Sequence, residues 1–461
     1  MPADASGIAA GLGAAPGDRA GGDFTAATRL LRRGASGAFL VAVAGTGLGF
    51  AVNLVIARVI GREGYGLYAL MFSWVSLLAA VAQAGQDVSV VRFMPTYLRD
   101  HAWGEMRGLR RAMGALVLVT SIAIAVAGCL VVHGVGKGHG AAWRATFYIG
   151  FALLPILTQL QQSGAMHRAF KRPVVTGLYQ SIGRPLVLIA LVGTLALTLR
   201  TVDAPMVAAA CVAAALIALA GSAWHLSVKW PAAGRDARPA YETRRWAQVG
   251  SQMSLLAVIV VAGNKLDVLI LGALMGTGDV GPYYAAVRMA SFALFAQTAA
   301  NVVLAPMIAE RYDARETDAL AVIAKRAARF SLAGALATGV AFTLAGRWVL
   351  GLFGPGFDAA YGPLLVLVWG FGASTALGEV GFLLSMTRYQ KHASLFVLVG
   401  IAVNGAAAAL LVPRIGALGA AIGAALSLLV WRGLAWWYVR RRLGIEPSVF
   451  GAGHAHGSLA P

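Results

Sequence analysis

Charged side chains are scarce in this 461-residue chain, at 12%, about half the share usual in soluble globular domains. Apolar residues make up 59% before the 57 glycines are counted, and mean hydropathy is +0.72. A domain dissolved in water could not cover so much apolar surface, so soluble, disordered and coiled-coil classes are excluded. Cysteine is nearly lacking. Cys129 and Cys211 both lie inside long apolar runs, so no disulfide framework is expected. No GxxxxGK[ST] occurs, which rules out an ATP-hydrolysing P-loop in this chain. No Cys/His cluster has metal-ligand spacing, and His454 and His456 belong to a polar stretch expected to be disordered, so neither metal nor cofactor is expected. The first 35 residues carry no apolar core of a signal peptide before residue 36 and are expected to form a flexible cytoplasmic tail. The strand alternation of a membrane β-barrel is missing as well.

What the chain does have is apolar runs of membrane length. A hydrocarbon core about 30 Å thick takes roughly 20 residues of helix, and lipid offers unpaired amides no partner, so the runs must be helical. Six lie near 36–60, 66–90, 112–133, 143–166, 174–199 and 204–227. Six more lie near 247–275, 283–309, 329–352, 361–387, 393–413 and 416–439. The expected organisation is an N-terminal bundle over 36–227, a cytoplasmic linker over 228–246, a C-terminal bundle over 247–439 and a C-tail over 440–461.

The basic residues test that list independently. With the N-terminus inside, 27 of the 38 Lys and Arg fall in inner segments, 6 in outer ones and 5 within spans. This is the positive-inside pattern with both termini cytoplasmic. The net charge of +19 therefore reports topology and contact with anionic membrane lipids; it forms no face suited to nucleic acid. Trp436, Trp437 and Tyr438 next to Arg440–Arg442 suggest an interfacial belt at the inner end, with Tyr65, Tyr68, Tyr283 and Tyr284 marking the opposite surface.

The chain also repeats itself. GREGYGLY (Gly61–Tyr68) and GTGDVGPY (Gly276–Tyr283) share two glycines and a tyrosine at a constant offset of 215 residues. Duplication of a six-helix unit gives halves of the same orientation, related by a pseudo-twofold along the membrane normal. The fold class expected is an all-α polytopic membrane protein of about twelve helices in two six-helix bundles. GTGLG (Gly45–Gly49) and GFGASTALG (Gly370–Gly378) follow no strand and so are not dinucleotide fingerprints. Gly45/Gly49, Gly272/Gly276 and Gly419/Gly423 have the four-residue spacing that lets helices approach closely. Pro155, Pro185 and Pro306 are expected to kink their helices.

Ionisable groups inside spans are costly and tend to be functional. Arg58, Arg184, Lys265, Asp267, Arg288 and Arg432 are the candidate cavity residues, and Asp267 and Glu379 the candidates for ion coupling. Asp267 and Arg288 lie roughly 14 and 8 Å below the outer turn at Gly276, at about 1.5 Å per residue, so an ion pair between them is within reach. Arg58 and Arg432 have a plainer alternative, snorkelling to the headgroups from near their helix ends, and Asp87 is expected to be interfacial. Glu379 has no cation in its own span and could instead meet Arg184 or Lys265 across the cleft. Five basic groups against two acidic ones leave the spans positive, which suits an anion better than an organic cation.

Three stretches carry a family resemblance. Asn53–Asp100, opening NLVIARVIGREGYGLY, resembles the first helical pair of Wzx-type polysaccharide flippases, in the superfamily that also holds MATE drug exporters and lipid II flippases. Leu266–Met289 resembles the start of that family's second bundle, including the Asp of helix seven, and Val403–Ser427 its last two helices. The resemblance implies a V-shaped, alternating-access flippase for undecaprenyl-pyrophosphate-linked oligosaccharide in the bacterial inner membrane, serving O-antigen, capsule or exopolysaccharide synthesis, with a polysaccharide polymerase as partner. By position it carries over Asp267 alone. The two further helices of lipid II flippases are missing. Within the transporter class the alternative is a MATE-like cation-coupled multidrug exporter. A membrane enzyme acting on lipid-linked sugars needs acid or base groups in a sizeable outer loop, and the longest outer connection, near 134–142, has no carboxylate.

Overall fold

The computed structural model describes residues 17–298, 300, 317–386, 389–444 and 446–449, and helix is the regular structure found among them. The first half comprises α1 (Gly17–Gln83), α2 (Gln86–Arg99), α3 (Trp103–Val135), α4 (Ala141–Ala169), α5 (Pro173–Gly177), α6 (Arg184–Thr198) and α7 (Ala204–Val228), with a π-helix over Leu178–Gly183 joining α5 to α6. A connection holding the one-turn α8 (Ala233–Asp236) leads to the second half. That half contains α9 (Thr243–Gly263), α10 (Leu266–Met275), α11 (Thr277–Ala290), α12 (Thr317–Phe353), α13 (Tyr361–Thr375), α14 (Val380–Met386), α15 (Gln390–Ile415) and α16 (Ala417–Leu443).

Eight of the described helices are long and apolar enough to cross a membrane, against twelve expected runs, because several spans are joined or broken. α1 carries the first two as one helix bent at Gly61. The seventh is interrupted at Asn264–Lys265, between α9 and α10. The tenth is split between α13 and α14, and part of the run expected as the eighth, with Pro306, lies outside the described residues. The second span ends at Gln83 rather than near residue 90, since Ala84 and Gly85, both at positive φ, turn the chain into α2. At the other end, α1 begins at Gly17, inside the stretch expected to be a flexible tail; the Ala, Leu and Arg residues there are good helix formers. His454 and His456 are outside the described residues. Pro155 sits within an uninterrupted α4. Pro185 falls in the first turn of α6, where a missing N–H is tolerated, directly after the π-helix.

The two halves meet through their matching hairpins. Gly61 (φ 70, ψ −175) and Gly276 (φ 84, ψ −179) adopt the same backbone region, one essentially reserved for glycine. A Cβ on Gly66 would lie 1.8 Å from the carbonyl oxygen of Thr277, and one on Gly281 would lie 2.3 Å from that of Arg62. Arg62 and Thr277, like Gly66 and Gly281, are separated by the repeat offset, so the contact is reciprocal. That is the signature of a twofold relation between the hairpins. Tyr65, Tyr68, Tyr283 and Tyr284 are buried in the core that both halves share, Tyr65 with its ring 5.8 Å from that of Tyr284 in the other hairpin. The tyrosines expected at the membrane surface are therefore core residues.

Burial follows the same plan. One apolar core at the hairpin end draws on both halves, including Ile56, Met71 and Leu154 from the first and Tyr284, Leu350 and Phe353 from the second. At the opposite end, where the linker runs, each half has its own cluster. Val90, Met106, Leu109 and Met166 pack with Trp230 and Trp246; Ala324, Leu383, Leu384 and Val439 form the other. Among the described residues the halves are thus fused at the hairpin end and separately packed at the linker end. Only the start of α9 stays with the first half there, where Ser89 Oγ donates to the Trp246 carbonyl at 2.7 Å. Large apolar side chains, such as Val119, Val126, Leu197, Leu344 and Trp348, face outward, a surface that belongs in lipid.

Candidate functional site

A cavity of about 370 Å³ lies between the halves, below the fused hairpins. The first half supplies Gly49, Asn53, Tyr68, Arg184 and Cys211; the second supplies Arg288, Ser291 and Phe292. Gly49 leaves open space in the wall, whereas the other member of its pair, Gly45, packs on Ser181 of the π-helix. That π-helix sets the direction of Arg184, its next residue; such local widenings often accompany functional sites. Asn53 donates to the Gly49 carbonyl at 2.6 Å and accepts from the Tyr65 hydroxyl at 2.9 Å, which fixes the cavity wall.

The structure brings Arg184 and Arg288 into one chamber, one guanidinium from each half, and no carboxylate among the described residues lines it. Arg288 donates to the Tyr284 hydroxyl and lies 4.7 Å from the centre of that ring. Its Nε is buried without a hydrogen-bond partner among the described residues. Lys265, in the break of the seventh span, approaches the same ring at 5.6 Å. Tyr284 thereby gathers two cations at the chamber's edge, an arrangement worth roughly 0.5–2 kcal/mol per contact according to desolvation.

The ion pair expected between Asp267 and Arg288 is not formed. Asp267 is buried and its Oδ2 accepts from the Tyr283 hydroxyl at 2.5 Å, while Oδ1 has no partner among the described residues. Successive residues of a helix point about 100° apart, so the adjacent Tyr283 and Tyr284 face different neighbours. Arg288, four residues on, shares the face of Tyr284 rather than that of Tyr283.

Three other expected positions lie elsewhere. Arg58 is exposed one turn before Gly61 and reaches the Leu352 carbonyl at 3.4 Å, outside the chamber lining. Arg432 is buried in the second half away from that lining; it donates to Gln297 Oε1 at 2.7 Å and to the Ser374 carbonyl at 3.3 Å. Glu379 accepts from Gln297 at 2.9 Å and from Ser331 at 3.1 Å. Gln297 therefore bridges Arg432 to Glu379 within the second half. Asp87, expected at the interface, sits 3.7 Å from Arg168 at the linker end, both of them half-exposed.

Sequence reasoning passed over Arg62. Its Nε donates to the Gly278 carbonyl at 2.5 Å and its Nη2 pairs with Asp279 at 3.0 Å, tying the first hairpin to the second. The signal was available, because GREG and GTGD are the aligned hairpins of the repeat.

The structure is thus that of an all-helical, multi-pass membrane protein of two halves with a cationic chamber between them. The fold is similar to that of a multidrug resistance MATE family transporter of the MOP superfamily in an inward-facing conformation, with a TM-score of 0.74 at 14% identity over 87% of this chain and 94% of that one. It is also similar to the lipid II flippase MurJ in an inward closed conformation, with a TM-score of 0.67 at 11% identity over 87% of each chain. A third match is a MOP superfamily transporter from Pyrococcus furiosus, with a TM-score of 0.63 at 13% identity over 89% of this chain and 95% of that one. No curated protein matches the sequence significantly.

The chain belongs to the polysaccharide biosynthesis protein family, whose model matches residues 31–311. The family model gives the chain its place in polysaccharide biosynthesis, and the solved transporters show the fold it shares with them.

Proposed function

We propose that this protein flips an anionic, polyprenyl-pyrophosphate-linked oligosaccharide across the bacterial inner membrane for cell-surface polysaccharide synthesis, delivering it to a polymerase on the far side. The observation that carries this reading is the shared chamber, with Arg184 and Arg288 contributed by opposite halves and no acidic residue in its lining among the described residues. A pyrophosphate offers the planar, forked donors of arginine matching oxygens, while the lipid tail stays in the bilayer between the bundles. The linker end is taken as cytoplasmic, with both termini inside, because the basic residues concentrate there. Separate clusters at that end and a fused core at the other suit a protein loading from the cytoplasmic leaflet.

Energetics favour the same direction. Moving negative charge outward across an inside-negative membrane releases about 2.3 kcal/mol per charge per 100 mV, so the potential can drive export without ATP. A cation-drug exporter would want an acidic chamber. For the Pyrococcus furiosus transporter of similar fold, a reverse polarity of the binding pocket is said to suggest a different function.

The test is flipping of lipid-linked oligosaccharide in proteoliposomes. Arg184→Gln and Arg288→Gln each remove a charge-assisted contact, worth about 1.5–3 kcal/mol, and should weaken substrate binding roughly ten- to hundred-fold with normal membrane insertion. Wild-type flipping by both variants would overturn the assignment. A rate indifferent to collapse of the potential would eliminate that driving force.

A further inference from the structure

A second basic site lies at the linker end, well away from the chamber. It is a pocket of about 570 Å³ lined by Arg107, Arg110, Arg111, Arg235 and Trp230. Arg107, Arg110 and Arg111 stand at i, i+3 and i+4 in the opening turns of α3, so their charges crowd one face, an unfavourable arrangement for a helix on its own. No ion pair to a carboxylate is found for any of the four among the described residues.

The pocket is built rather than incidental. The linker is strapped across α3: Ala240 N–H donates to the Gly104 carbonyl at 3.0 Å, and a Cβ on Gly108 would fall 1.7 Å from the Ala240 carbonyl oxygen. Arg107 is held by the Ala237 carbonyl at 2.8 Å. Arg235 reaches the last carbonyls of α7, Ser227 at 3.2 Å and Val228 at 3.3 Å, and Arg110 lies 4.8 Å from the centre of a Trp230 ring. Three guanidiniums are thereby positioned by their neighbours with most of their five N–H donors unspent. Arg111 is exposed and has no hydrogen-bond or ion-pair partner among the described residues.

We infer that this pocket binds a phosphate group, and that its source is the headgroup of an anionic lipid in the leaflet at the linker end. Arginine forks match phosphate oxygens two at a time. Depth favours a lipid source. About two turns beyond Arg111, α3 turns Leu118, Val119 and Ile122 outward, and Trp224 is exposed near the end of α7. A headgroup at the pocket would lie where its acyl chains can run along those side chains. The inference is independent of the chamber and of what the chamber carries.

Binding is measured on the purified full-length chain by native mass spectrometry and thermal shift, with phosphatidylglycerol, phosphatidylcholine and inorganic phosphate as probes. The wild type is expected to retain phosphatidylglycerol over phosphatidylcholine. Arg111→Gln should weaken that binding about ten-fold, and Arg110→Gln with Arg111→Gln further, whereas Arg111→Lys should keep part of it. Since the Arg111 side chain supports no neighbour, its loss leaves the fold in place. Arg99→Gln, at the same end but paired with Asp100, is the control and should not change binding. Stabilisation by millimolar inorganic phosphate with no lipid preference, again lost in Arg111→Gln, would retain the pocket and identify a soluble phosphate as its source. Phosphatidylglycerol and phosphate binding both within two-fold of wild type in Arg111→Gln and in the double variant would overturn the inference.

Discussion

Arg62 and Asp279 pair at 3.0 Å across the two halves, with the Arg62 Nε also bound to the Gly278 carbonyl at 2.5 Å. Their side chains are 38% and 39% exposed, so the pair resembles a surface ion pair, worth up to about 1 kcal/mol. Yet it is placed where an outward opening would have to break it. Asp279→Asn should raise the population with parted hairpins up to about five-fold, measured as a longer spin-label distance between the hairpins. The swap Arg62→Asp with Asp279→Arg should bring that distribution back toward wild type. Identical distributions in all three proteins would mean that the pair latches nothing.

A steric device lies beside the electrostatic one. Gly66 and Gly281 each let a carbonyl of the opposite hairpin approach to where a methyl group would stand. Gly66→Ala or Gly281→Ala must therefore separate the hairpins, a larger effect than losing an exposed ion pair. Each variant should insert normally but lose thermal stability, by about 1–3 kcal/mol as for an overpacked core, and should fail to reseal the hairpin end. Ala at Gly278, where a Cβ would meet nothing within 4 Å, is the neutral comparison. Equal melting temperatures for all three would remove the close approach as a constraint.

Much of this architecture was legible in the amino-acid order, and what was not has a physical cause. Apolar runs give depth in the membrane directly, so the polytopic helical fold could be read, and the duplicated glycines pointed to the paired hairpins. Rotation about each helix axis is a different matter. Depth alone allowed Asp267 to meet Arg288, but the intervening Tyr283 and Tyr284 point to separate sides and divide the two groups between them. Arg432 has the depth of a cavity residue and the azimuth of a buried one. The hairpin tyrosines have interfacial composition, but they are buried in the core shared by the two halves, and only the duplicated glycines hinted at the hairpin contact.

Among the described residues, Tyr283 supplies the one side-chain hydrogen bond that Asp267 accepts. Tyr283→Phe would leave a buried carboxylate without that donor, at a cost of about 1–3 kcal/mol. The melting temperature of the purified protein should fall accordingly. Asp267→Asn, still able to accept from the tyrosine, should fall less, and combining the two changes should cost less than their sum. Strict additivity would show that the 2.5 Å contact contributes no coupling.

Arg432 separates a structural cation from a substrate-binding one. Gln297 links it to Glu379, and all three are buried within the second half. Removing one member of a buried charged network strands the rest, typically at 3–5 kcal/mol, whereas replacing both charges by apolar or neutral residues of similar volume can be nearly neutral. Arg432→Met should therefore reduce the folded yield sharply, and Arg432→Met with Glu379→Gln should recover much of it. Flipping per folded molecule should be retained in the double variant, in contrast to Arg288→Gln, which should fold well and bind poorly. Loss of flipping in a well-folded double variant would return Arg432 or Glu379 to the transport path, with ion coupling at Glu379 the role to examine by varying the proton and sodium gradients.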